Sequence, residues 1–251
     1  MPRATPPSYA ALVTLLATVR LVSYLNAAGF DPTLRERAPF AVQGADLAHH
    51  LVDRGGLLGV DPWTAVPLPE VFDDLLAQPG RPWLLALPGP GRLAPLQGPP
   101  DLGRAALAAG MAVVASGGGL ALVPHQVGPA LQWEVLSAER PGAVPTAYEA
   151  ERELSEVVLT AARELADLDV AGGRRPTDTA IELAPGYPPR QRVAADRATR
   201  LWLACTVGLE GDGTSISVFE ADRRRAALRA VRDAAAQSLV ASVSWLGVEQ
   251  D

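Results

Sequence analysis

Lysine is absent: all 22 basic side chains of this 251-residue chain are arginine. That excludes a Schiff-base lysine and the lysine of a phosphate-binding loop. Cysteine occurs once, at Cys205, so neither an internal disulfide nor a cysteine-based zinc cluster can form. A single thiol suits a reducing compartment, and a cytoplasmic location is the expectation. Histidine is limited to His49, His50 and His125, and asparagine to Asn26. Strong metal ligands are therefore scarce, and neither a metal nor a cofactor is expected. The excess of positive charge that marks a nucleic-acid binder is also missing, since the net charge is -6; no nucleic-acid partner is expected. Arginine without lysine, beside abundant alanine, leucine, glycine and proline, is the codon signature of a GC-rich genome and says little about function.

Apolar residues make up 48% of the chain and charged residues 20%. Such a composition supports a packed core and excludes global disorder. The apolar stretch Tyr9 to Val19 follows Pro6-Pro7 and meets Arg20. It is short of the roughly 20 apolar residues that span a bilayer, and no small-x-small cleavage site follows it. It reads as a buried helix, with no membrane association expected.

Helical spacing begins at Ser8, a suitable N-cap, and continues through Leu12, Leu15, Leu16, Val19 and Val22 to a stop at Gly29. A second helix is expected over Val42–Val52 and a third over Glu70–Gln78. The middle of the chain carries strands. Trp83–Leu87 and Met111–Ser116 are continuous apolar runs, and Gly117-Gly118-Gly119 offers a hairpin turn into Leu120–Val123. Leu131, Trp133 and Val135 alternate with Gln132 and Glu134, the period of a strand with one wet face. Pro124 is expected to end its strand or to lie at an edge, because proline has no N–H to donate. A helix over Leu102–Ala109, capped by Asp101, separates the first two strands. Helices resume with a capping box at Thr146 and Glu149, then over Pro189–Leu209, then from a second capping box at Ser217 and Glu220. The last helix shows a small-residue face of Ala227, Val231, Ala234, Ser238 and Ala241.

The fold class this implies is α+β: a small, at least partly antiparallel sheet over about residues 82–137, covered by N- and C-terminal helices. One integrated domain over residues 1–251 is expected, with residues 1–7 a flexible tail.

Few residue patterns carry chemistry. Gly89-Pro90-Gly91-Arg92-Leu93-Ala94 formally fits a dinucleotide fingerprint. The surrounding prolines keep a helix from starting there, so Pro88–Pro100 reads as a stiff surface loop. Asp46, His50 and Asp53 would share one face of a helix over 42–52, with His125 a possible fourth metal ligand, but a solvated face is the simpler reading. Glu149, Glu153 and Glu156 are interleaved with arginines, the pattern of an exposed salt-bridged face. Arg223-Arg224-Arg225 is flanked by Asp222 and is expected to pair with acidic groups. Cys205 lies on an apolar helix face beside Trp202 and reads as structural. The serine-hydrolase elbow Gly-x-Ser-x-Gly does not occur.

With catalytic groups so scarce, the leading expectation is a non-enzymatic intracellular binding or assembly protein. A homodimer through helical faces would bury the apolar surplus of the first and last helices. The alternative is a small-molecule binder or enzyme using the Pro88–Pro100 loop, with Arg92, Arg104 and His125 as its polar groups.

Overall fold

The computed structural model describes residues 7–44, 47–89, 91–168, 180–210 and 218–244, with side chains from residue 11. Two compact units share the chain. Met1–Val144, Glu182–Pro188 and Val243–Asp251 form the first; Pro145–Ile181 and Pro189–Ser242 form the second.

The first unit holds the strands: β1 (Ala48–Val52), β2 (Val66–Pro67), β3 (Trp83–Ala86), β4 (Ala112–Ala115), β5 (Gly119–Val127) and β6 (Ala130–Ala138). They form one sheet in the order β2-β1-β6-β5-β4-β3. All pairings are antiparallel except β1 with β6, which is parallel. Its helices are α1 (Pro7–Phe30), α2 (Ala38–Gln43), α3 (Leu68–Ala77) and α4 (Pro100–Ala109). The architecture is α+β.

Alternation decides which residue meets which layer. Leu84 and Ala86 of β3, Ala112 and Val114 of β4, and Ala121 and Val123 of β5 pack under Leu102 and Ala106 of α4. The opposite face carries Trp83, Leu85, Val113, Leu122 and Trp133, all buried. There α1 lies across β3, β4 and β5, and Thr18 Oγ1 donates to Met111 Sδ at 3.2 Å. The β4–β5 hairpin turns at 116–118. Gly117 is required there, because a Cβ on it would stand 2.6 Å from Gly80 Cα.

Three local expectations are corrected and a fourth is narrowed. The helix expected over 42–52 is α2 followed by β1. Gly44, at φ +63, stops α2, and the next residues pair with β6 in the register His50 to Gln132. The sheet therefore begins at residue 48, well before 82. Of the two places expected for Pro124 the edge is found: β5 runs through it to Val127, but β4 reaches only Ala121 and Leu122, so beyond them the missing donor breaks no β4–β5 bond. Asp101 does not cap α4. It lies inside the first turn and pairs with Arg104 at 2.8 Å. The first helix begins at Pro7, before Ser8, and ends at Phe30, beside the Gly29 stop. Ala11–Phe30 is long and apolar enough to cross a membrane, and 67% of that stretch is buried inside the chain.

The second unit holds α5 (Ala147–Ala166), α6 (Pro189–Glu210) and α7 (Val218–Ser244), the last two residues of α7 falling in the first unit. The capping box opens α5 as the sequence implies: Thr146 Oγ1 accepts from Glu149 N at 3.2 Å, and Glu149 Oε2 accepts from Thr146 N at 2.9 Å. Ala161, Cys205, Ala227 and Val231 form one buried cluster, and Leu154, Ala234 and Ala235 another. Small residues let the three helices approach closely. Ser217 and the glycines at 172, 173, 211 and 213 lie outside the described residues.

Candidate functional site

Beyond the cover of α4, the sheet face it packs on turns polar. Past Val123 the next β5 side chain on that face is His125; β6 contributes Gln132 and Glu134, and β1 contributes His50. His125 Nε2 and Glu134 Oε2 are 3.0 Å apart, with side chains 38% and 27% exposed. The pair is diagonal across the ladder, since His125 stands opposite Gln132 and Glu134 opposite Val123. A histidine held by a carboxylate is oriented for proton transfer. His50 lies on the far side of Gln132, two strands away, roughly 10 Å at the backbone. Among the described residues, no three His, Cys, Asp or Glu side chains form a group that could hold a metal ion.

The other two candidates from the sequence stand elsewhere. Arg104 is on the outer side of α4, paired with Asp101 and 75% exposed. Arg92 closes a tight turn: its N donates to Gly89 O, and Gly89 N donates to Arg92 O, both at 2.9 Å. The loop rests on α4, where a Cβ at Gly103 would meet Leu93 Cδ1 at 3.8 Å. No helix starts after the Gly89–Ala94 pattern until Pro100, so the geometry of a dinucleotide site does not form there. Arg104 bonds Asp101 and His125 bonds Glu134, so these two candidates are not joined to each other.

The Asp46, His50 and Asp53 face does not survive the change from helix to strand. His50 and Asp53 point to opposite sides of β1, and Asp46 lies outside the described residues. Asp53 is buried, and its two oxygens accept from Leu57 N at 2.9 Å and Leu58 N at 2.6 Å. Glu149 serves the capping box; the Thr146 N–H, then its hydroxyl, hold the Glu149 carboxyl below its ordinary range. The arginine cluster is used within the second unit. Arg224 is buried and donates to Gly208 O at 2.8 Å, Arg225 meets Asp222 at 3.2 Å, and Arg223 sits 5.8 Å from the Phe219 ring centroid.

Sequence reasoning passed over the loop between β1 and β2. Asp53 fixes its start. Near its end, Asp61 Oδ1 accepts from Trp63 N at 3.1 Å, and Thr64 Oγ1 donates to Asp61 Oδ2 at 2.5 Å. These bonds hold the Asp61 carboxyl below its usual range, the Thr64 hydroxyl first among them. The result is a turn that presents Trp63, which is 93% exposed, with Leu57 also exposed on the same loop. The signal was the Asp-Pro-Trp-Thr string, an aspartate two residues before an aromatic.

Two family models match: "Rv1486c-like protein, N-terminal domain" over residues 10–149 and "Rv1486c-like protein, C-terminal domain" over residues 148–240. The chain belongs to the Rv1486c-like protein family. The junction of the two Rv1486c-like domains falls at the start of α5, just past Pro145, where the second compact unit begins. Neither the comparison with curated proteins nor that with solved structures gives a match to this Rv1486c-like chain.

Proposed function

We propose that this Rv1486c-like protein is a non-enzymatic binding or assembly protein. The supporting observation is Trp63. Water-exposed tryptophan is uncommon on a surface without a partner, and here the loop that carries it is tied down by Asp53 and Asp61. A rigid aromatic side chain loses little conformational freedom when it is covered, which favours association. A second copy of the chain is the proposed partner. The apolar residues of α1 that suggested a dimer, such as Leu15, Val19, Leu21 and Leu25, are buried within the chain. A helical dimer face would instead use outer residues such as Leu159 on α5 or Val193 on α6, both exposed.

A second reading has its own observation. The closed Gly89–Arg92 turn and the His125–Glu134 pair suit a small-molecule binder or enzyme using the Pro88–Pro100 loop. Native mass spectrometry of freshly purified protein separates the two. A species heavier than the 26.3 kDa chain that Trp63→Ala or Leu159→Glu removes supports assembly. A small molecule carried by a single chain, kept by Trp63→Ala and lost with Arg92→Ala, supports the alternative. A bare single chain at every concentration counts against both.

A further inference from the structure

We draw no further inference here: the strongest candidate, the row of His50, Gln132 and His125 with Glu134 on the stretch of sheet face beyond α4, belongs to the site already described, and nothing in the structure shows what covers it.

Discussion

Asn26 grips both backbone groups of Trp83: Trp83 N donates to Asn26 Oδ1 at 2.7 Å, and Asn26 Nδ2 donates to Trp83 O at 2.9 Å. β3 ends the sheet, and residues 83 and 85 turn their peptide groups away from β4. The asparagine amide takes the position that another strand would occupy, and Ser244 Oγ accepts from Leu85 N at 3.0 Å. An open edge invites pairing with other chains; here side chains close it. Asn26→Leu leaves the Trp83 N–H and C=O bare in the core. The expected loss is about 3 kcal/mol, given ~1–3 kcal/mol for each buried group left unpaired. Urea denaturation reads it, and a loss too small to resolve would mean that the edge is satisfied in another way.

His49 makes stability depend on pH: burial, then the charge of Arg20, pushes its imidazole down to about 4 from the ordinary 6.5, and the sign follows. Between those values the unfolded chain takes up a proton that the folded chain refuses. Stability is therefore full above pH 6.5, falls as the pH drops, and stops responding to His49 below about 4. The shift corresponds to at most about 3 kcal/mol. Trp133 Nε1 donates to His49 Nδ1 at 3.4 Å. His49→Gln keeps an acceptor for Trp133 and should flatten the slope between pH 6.5 and 5, above most carboxylates. An unchanged slope in His49→Gln would reject the assignment.

Cys205 faces the cluster of Ala161, Ala227 and Val231, and burial pushes its thiol up to about 11. At neutral pH almost no thiolate is present, so a thiol reagent should label the native protein slowly and the urea-unfolded protein fast. Cys205→Ala should cost about 1 kcal/mol, as for a small buried group. Rapid labelling of the native protein would contradict both expectations.

Much of the fold is legible because local signals agree with it. The apolar runs at 83–87 and 111–116 are bounded by proline and glycine, and the Leu131-Trp133-Val135 alternation can only be a half-wet strand. β1 is not legible in this way. Leu47 and Leu51, with Asp46 and His50, are spaced like a helix face, and the partner that makes 48–52 a strand is β6, some eighty residues later. No neighbouring residue encodes that pairing. Site residues divide on the same line. His125 could be singled out as a scarce residue type, but Glu134 becomes its partner only through the β5–β6 register. Asn26 was visible only as a lone asparagine; its role depends on Trp83, 57 residues away.

Trp63 should be dispensable for folding. Its side chain is almost wholly in water, while its loop is held through Asp61 and through the Trp63 backbone N–H, which Trp63→Ala retains. The change in unfolding free energy should stay within about 0.5 kcal/mol, the range of neutral surface substitutions. The fluorescence spectrum should lose a red-shifted, easily quenched component. A clear loss of stability would show that the indole packs on the chain and would weaken the case for it as a contact residue.

The expectation of one integrated domain becomes a prediction about cooperativity. α7 is one continuous helix over Val218–Ser244; it belongs to the second unit up to Ser242 and to the first from Val243. Its last turn is tied within the first unit by Tyr187 OH donating to Val243 O at 2.5 Å and by Leu85 N donating to Ser244 Oγ. Unwinding α7 in one unit removes the helix end that the other uses. Calorimetry should therefore show a single thermal transition with equal calorimetric and van't Hoff enthalpies. Ala236→Pro places a helix breaker in the buried stretch of α7, at a cost of about 3 kcal/mol or more. It should lower the whole transition if the units unfold together. Two separated transitions in the unmodified protein would instead establish two domains that melt independently, divided where the two family domains meet.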